Sequence, residues 1–146
     1  MVFKELLIEV RKLMIKEIRK NNKILARHIT GDEIKEGLSF FSNDSEYIQV
    51  GSWNYNNGKE LLKHIHNEVI REVRRTQEVL YIITGKIEAE IYDLEKSLIE
   101  TIRVNEGDIL ILLESGHGYK VLEEGTKVLE IKNGPYLGAE IDRRRF

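Results

Sequence analysis

The sequence predicts a single-domain, all-β protein, mainly antiparallel, with a helix at its N-terminus. Three observations support this fold class. The chain has 146 residues, the length of one domain. Its hydrophobic periodicity changes from helical spacing to alternation near Leu25. Beyond that point, short β-rich stretches are separated by glycine or Asx turns. We therefore expect one domain over residues 1–146, with a helix over 1–22, a β-barrel over 25–133 and a tail over 134–146.

The N-terminal segment predicts an amphipathic, basic helix. Asn21 and Asn22 are plausible stop residues, and up to Ile29 there are eight Lys or Arg residues against three Glu. Such a helix can bind a membrane surface or a target groove, but we expect its apolar stripe to pack on the body or on a partner subunit. The apolar residues that recur at helical spacing are Phe3, Leu6, Leu7, Val10, Leu13, Met14 and Ile18.

The predicted strands include two that are apolar on both faces, those beginning at Glu78 and Ile109. One face can point into a sandwich or barrel, and the other needs the N-terminal helix, a second sheet or another subunit as cover. We expect strands over Leu25–Thr30, Tyr47–Tyr55, Glu60–His66, Glu78–Thr84, Lys86–Asp93, Leu98–Val104, Ile109–Leu113, Tyr119–Leu122 and Lys127–Lys132.

Composition excludes several functions. The net charge of −2 argues against a general nucleic-acid binder, which needs a basic surface. The absence of cysteine excludes disulfides, thiolate zinc sites, iron–sulfur clusters and cysteine nucleophiles. No apolar run approaches the ~20 residues of a membrane span, and the N-terminus lacks the uninterrupted apolar core of a signal peptide. We therefore expect a cytoplasmic protein that binds neither nucleic acid nor membrane.

The histidines carry the first chemical signal. His64 and His66 stand two residues apart in a β-like stretch, so both imidazoles would project from one face. Gly58 precedes them in the pattern Gly-x5-His-x-His, and Glu78 is followed by six residues and then a glycine. Gly107-Asp108 opens an apolar strand that ends near His117.

These patterns resemble the two sequence motifs of the cupin superfamily. The resemblance implies a double-stranded β-helix, or jelly-roll barrel, in which His64, His66, Glu78 and His117 bind one divalent transition metal. A nitrogen–oxygen donor set of this kind suits Fe, Mn, Ni, Zn or Cu. Segments 76–79, 116–119 and 130–136 and the closing Arg-Phe are similar to the corresponding parts of small bacterial cupins of no established activity.

The chain departs from the cupin pattern between the ligands. Eleven residues separate His66 from Glu78, where the family has three or four. Glu72 is the alternative glutamate, but only Glu78 keeps the x6-Gly85 spacing. Leu113 replaces the proline that is usual in the second motif.

Further candidates surround this predicted metal site. The insertion carries Arg71, Arg74 and Arg75, whose guanidinium groups can bind a carboxylate or phosphate. One face of the Tyr47–Tyr55 stretch carries Gln49 and Trp53, which suit a pocket for a polar organic ligand. Glu60 or Tyr55 is a candidate for moving a proton.

Three functions stay open. The first is a metal-dependent enzyme, with dioxygenase or isomerase chemistry on a small anionic organic molecule. The second, also based on the resemblance, is a metal-independent sugar or nucleotide-sugar isomerase with Tyr55 as acid and His64, His66 or His117 as base. The third is a module that binds a small ligand. We expect a homodimer, because the outer face of Val79, Tyr81 and Ile83 needs cover and cupins commonly pair through their sheets.

Overall fold

The structure is a computed structural model that describes residues 15–146, and most of its regular structure is antiparallel β. A short 3₁₀ turn spans Gly31–Glu33, and a four-residue helix α1 spans Ala139–Asp142. None of the helices in this part of the chain is long and apolar enough to cross a membrane. The strands are β1 (Ile15–Lys20), β2 (Lys23–Ile29), β3 (Gly37–Phe40), β4 (Gly51–Asn54), β5 (Glu78–Thr84), β6 (Lys86–Tyr92), β7 (Leu98–Asn105), β8 (Ile109–Leu112), β9 (Gly116–Val121) and β10 (Lys127–Lys132).

The strands form three antiparallel sheets. The largest has the order β1-β2-β8-β5-β10, a second has the order β7-β6-β9, and β3 pairs with β4 alone. Over residues 15–146 the sheets do not close into a barrel. The five-stranded and three-stranded sheets pack face to face and enclose the main core. Its buried side chains are Ile18, Leu25, Ala26, Leu80, Ile82, Ile87, Ala89, Ile91, Ile102, Val104, Leu110 and Leu112.

A second core covers the opposite face of the five-stranded sheet. Phe41 and Ile48, from the segment between β3 and β4, pack there against Val79 and Ile111. Arg27 fastens this segment, since its guanidinium donates to the Phe41 carbonyl at 2.6 Å and pairs with Glu46 at 2.9 Å. The expectation that both faces are covered is thus confirmed for β8 and for the first three residues of β5.

The segment between β3 and β4 covers only part of the outer face of β5, so only the remainder needs a partner subunit as cover. Val79 is covered by its own chain and is 5% exposed, whereas Tyr81 and Ile83 are 38% and 47% exposed. The outer face of β5 is therefore covered at one end and open at the other.

The predicted helix over residues 1–22 is wrong where it can be checked. Residues 15–20 form β1, which pairs with β2 through the two-residue turn Asn21-Asn22. Asn21 has a φ of 55°, a left-handed conformation that asparagine tolerates and that tight hairpins require. A single buried side chain, Ile18, satisfies both a helical and a strand pattern, and pairing with β2 decides between them. Residues 1–14 lie outside the described residues, so the helix prediction there stays a prediction.

The predicted strand Glu60–His66 is also wrong. Residues 56–75, which we call the arm, link β4 to β5 without helix or strand, and all twenty are exposed. A strand needs a hydrogen-bonding neighbour, and no strand of the described chain pairs with the arm. The Tyr47–Tyr55 prediction shortens to β4, and β3 was not predicted.

A buried carboxylate ties the turns at one end of the main sheet together. Asp108 is fully buried and lies 3.0 Å from His28 Nε2, while the backbone N–H groups of Gly31 and Asn105 donate to it at 3.1 and 2.9 Å. Burial alone would raise the pKa of Asp108, but these hydrogen bonds outweigh it and hold the pKa below its ordinary value.

We predict that Asp108→Ala lowers the free energy of unfolding by about 3–5 kcal/mol, because it leaves buried donors without an acceptor. Urea unfolding at neutral pH measures the loss. Asp32→Ala, at an exposed aspartate of the 3₁₀ turn, is the matched control and should change little. Since the pKa of Asp108 is lowered in the folded state, its contribution is present above about 3.8 and is lost as the pH falls through the folded value. Equal losses in the two variants would contradict this role.

Candidate functional site

A cleft lies between the ends of several strands and the C-terminal tail. Its volume is about 820 Å³, large enough for a small organic molecule. Glu78 enters from the start of β5, His117 from β9 and Lys132 from the end of β10. Residues 140–146 of the tail complete the wall.

Glu78, His117 and Tyr119 form a contact group beside the cleft. His117 Nε2 lies 3.4 Å from Glu78 Oε2, and the Tyr119 hydroxyl donates to Glu78 Oε1 at 3.4 Å. His117 and Tyr119 stand two residues apart on β9, so they share a face, and their rings stack with centroids 5.1 Å apart. Alternation along β9 was therefore the sequence signal that could have identified Tyr119.

The surroundings of Glu78, chiefly its burial, favour its neutral form. Its side chain is 8% exposed, and burial raises its pKa to about 7, helped by a hydrogen bond with Glu130 and by that group's charge. Lys132 Nζ lies 2.6 Å from Glu130 but 4.0 Å from Glu78, so the ammonium mainly neutralises Glu130. Burial lowers the pKa of His117, and the charge of Lys132 lowers it further. Near neutral pH, a carboxyl that can hold a proton thus adjoins a neutral imidazole.

Two buried polar atoms at this end of β9 lack partners. His117 Nδ1 and Ser115 Oγ have no hydrogen-bond partner in the described structure. A buried group left in this state costs about 1–3 kcal/mol. Both residues line the cleft, so a ligand bound there could supply the missing hydrogen bonds.

The structure brings together two of the four predicted metal ligands. Glu78 and His117 are neighbours, but His64 and His66 lie in the exposed arm, where their rings meet edge to face with centroids 5.0 Å apart. Within residues 15–146, no group of three histidine, aspartate or glutamate side chains is arranged to hold a metal. The donor set in this arrangement is therefore too small for a transition metal site of three or four protein ligands. Glu72, the alternative ligand, is exposed and pairs with Arg74 at 2.8 Å.

Most of the predicted substrate and proton-transfer residues lie outside the cleft. Gln49 donates to the backbone carbonyls of Asn43 and Glu46, and thus holds its own loop. Trp53 is 62% exposed on β4 and stacks on Tyr55 with ring centroids 6.2 Å apart. The remaining candidates are in the arm: Glu60, Arg71 and Arg74 are exposed there, and none lines the cleft.

One arm arginine does reach the cleft. Arg75 lines it, close to the start of β5, and lies 3.9 Å from Glu114. The sequence patterns assign no role to the other cationic residues that line the cleft, which are Lys96, Lys132, Arg143, Arg144 and Arg145.

Comparison of the chain with protein-family models, with curated proteins and with solved structures found no match. The geometry of the cleft and the sequence motifs are therefore the features from which a function can be inferred.

We predict that Glu130→Gln lowers the pKa of Glu78 in metal-free protein, because it removes the carboxylate whose hydrogen bond and charge favour the Glu78 proton. Lys132→Met should raise it, because the ammonium favours ionised Glu78. Carboxyl carbon NMR across a pH titration, after dialysis against a chelator, measures both. Glu88→Gln, on β6, is the control. An unchanged Glu78 titration in Glu130→Gln would contradict the coupling.

A stability measurement tests the same shift independently. The folded protein holds the Glu78 proton more tightly than the unfolded chain does, so this group stabilises the fold most below its ordinary value of 4.5. That contribution is lost as the pH rises through about 7. Glu78→Gln, which stays neutral, should therefore gain stability relative to the wild type over this range in urea unfolding. A constant difference would contradict the raised pKa.

Proposed function

We propose that the protein is an enzyme that moves a proton within a small anionic organic molecule bound in the cleft. The observation that carries this proposal is the contact of 3.4 Å between a buried carboxyl, Glu78, and a mostly buried imidazole, His117, at a cleft rimmed by arginines. An acid and a base within hydrogen-bonding reach of each other and of a ligand cavity are the elements of general acid–base catalysis.

The chemistry is that of an isomerase. The neutral imidazole of His117 takes a proton from a substrate carbon while the Glu78 carboxyl gives one to the neighbouring carbonyl oxygen, which forms an enediol. Ionised Glu78 then takes the proton of the adjacent hydroxyl and His117 returns its proton to the former carbonyl carbon, so that both groups regain their starting states. The Tyr119 hydroxyl, which donates to Glu78 Oε1, orients that carboxyl. This is the metal-independent isomerase of the sequence hypotheses, with Glu78 rather than Tyr55 as the acid. A sugar or nucleotide sugar that carries a carboxylate or phosphate fits the class.

A divalent transition metal in a cupin jelly roll is the second candidate. The motif residues support it. So does His117, whose buried Nδ1 atom has no hydrogen-bond partner in the described structure and whose ring lies beside Glu78. His64 and His66 would complete the set only with the arm in another position, and they are exposed. The metal would supply a Lewis acid, or a site for dioxygen if it is iron. In the described structure, only two of the four predicted donors, Glu78 and His117, meet.

We also propose a homodimer, and the exposed arm supports it. Unfolded chain exposes about 1.45 Å² per dalton, so the twenty residues of the arm expose on the order of 3,300 Å². Packing a quarter of that surface on a second copy reaches the ~800 Å² that each partner contributes to a standard interface. The arm also exposes six large apolar side chains: Leu61, Leu62, Ile65, Val69, Ile70 and Val73. A cytoplasmic location is consistent with the absence of cysteine.

Solvent deuterium exchange tests the proposed reaction. The wild type, incubated in heavy water with a panel of hydroxy and keto acids and sugar phosphates, should label at least one of them, as read by proton NMR. His117→Ala should slow that labelling by ~10²–10⁴-fold, the usual contribution of a general base. His64→Ala is the control, because its side chain is exposed in the arm. Equal loss in both variants would favour the metal site instead.

Metal analysis tests the second candidate. Protein purified without added metal should contain one ion per chain if the predicted site forms, and His66→Ala should lose most of it. Lys63→Ala, a neighbour in the arm, should keep it. Equal metal content in the two variants would exclude His66 as a ligand.

A further inference from the structure

The C-terminal tail is fixed at two points across the cleft. The Thr76 hydroxyl, just before β5, donates to the Asp142 carboxylate. Four residues later, the Phe146 ring packs edge to face on Tyr92 with centroids 5.1 Å apart. Gly116 allows this approach, because a Cβ atom there would lie 3.2 Å from the Phe146 ring. The segment between these anchors is therefore held along the wall of the cleft.

That segment consists of three consecutive arginines, Arg143, Arg144 and Arg145, all of which line the cleft. Within the described residues, none of the three has an ion pair or side-chain hydrogen bond. Of the other basic residues of the wall, Lys132 pairs with Glu130 at 2.6 Å and Arg75 lies 3.9 Å from Glu114. The ammonium group of Lys96 lies 5.8 Å from the centre of the Phe146 ring.

The carboxylates of the wall do not pair with these arginines. Asp93 pairs with Lys20, whereas Glu90 accepts the Tyr92 hydroxyl at 2.7 Å and Asp142 accepts the Thr76 hydroxyl, so that both keep their charge. Among residues 15–146, no ion pair joins Glu90, Glu140 or Asp142 to the three arginines. In this part of the chain, the guanidinium donors are therefore open to a ligand.

We infer that the arginines at 143–145 are the anion-binding element of the cleft, and that its ligand carries a phosphate or carboxylate group. The guanidinium fork donates two parallel hydrogen bonds to either oxyanion, which a lysine cannot do. Arg143 lines the same cleft as Lys132, Glu78 and His117. A ligand anchored by the tail would thus extend toward Glu78 and His117.

The inference deepens the proposed function by naming what the substrate presents to the tail, and it replaces Arg71 and Arg74 as the anion site. Those two arginines lie outside the cleft, where Arg71 donates to the Val69 carbonyl at 3.4 Å and Arg74 pairs with Glu72. They therefore provide a matched control of the same chemistry in the same chain.

Binding measured without turnover tests the inference. Inorganic phosphate and succinate are titrated separately into the full-length protein, with amide NMR shifts and calorimetry as readouts. At least one anion should bind at millimolar concentration and shift the amides of Thr76, Gly116 and Phe146. The variant R143A/R144A/R145A should bind it about tenfold more weakly or worse, since each lost charge-assisted hydrogen bond has that order of effect. The variant R71A/R74A should bind it as the wild type does.

The outcomes separate this inference from the proposed reaction. Tighter binding of phosphate or of succinate identifies the group that the tail recognises. Unchanged binding in the tail variant, or no binding of either anion to the wild type, overturns the inference even if deuterium exchange succeeds. Loss of binding in the tail variant supports it even if no exchange is found. The variant's amide spectrum checks its fold, and R143K/R144K/R145K, which keeps the charge, should bind more weakly than the wild type because it lacks the forks.

Discussion

The burial of β8 and of the start of β5 on both faces determines most of this structure. One face meets the three-stranded sheet and the other meets the segment fastened by Arg27 and Glu46. A carboxyl at the first residue of such a strand loses most of its hydration, whatever its chemical role. The unusual proton affinity of Glu78 is therefore a consequence of the same packing that stabilises the fold. The antiparallel register adds Lys132 directly opposite Glu78, and Glu130 two residues before it.

The sequence identified those parts of the fold in which alternation and turn residues agree. The turn between β5 and β6, which leads from one sheet into the other, follows from the strand-forming stretches on either side of Gly85, which has a φ of 79° and lies too close to Thr126 for any side chain. The same reasoning failed for β1, where one buried isoleucine fits two periods. It failed again in the arm, because a strand-like pattern does not provide the neighbour that a strand must pair with.

The candidate site was predictable only in part, for related reasons. Glu78 and His117 stand at the starts of β5 and β9, at set distances from the motif glycines Gly85 and Gly107, so spacing could identify them. Lys132 and Tyr119 matter because of cross-strand register, which a linear spacing does not reveal. The arginines at 143–145 carry no periodicity at all, and their position depends on Phe146 finding the surface of Tyr92. Charged residues outside regular elements are placed by such distant contacts, and no local pattern encodes them.

Hydrogen bonds at Gln77 hold the chain just before β5. The Gln77 side-chain carbonyl accepts the backbone N–H groups of Tyr47 and Ile48 at 2.8 and 3.0 Å. The backbone N–H of Gln77 donates to the Asn133 side-chain carbonyl at 2.6 Å. These bonds fix the backbone one residue before Glu78. Arg75, the last residue of the arm, joins this set, because its carbonyl accepts the Asn133 side-chain N–H at 3.3 Å. The rest of the arm can therefore change in length or composition while Glu78 keeps its place, so that the outer surface of the chain is free to vary independently of the interior of the cleft.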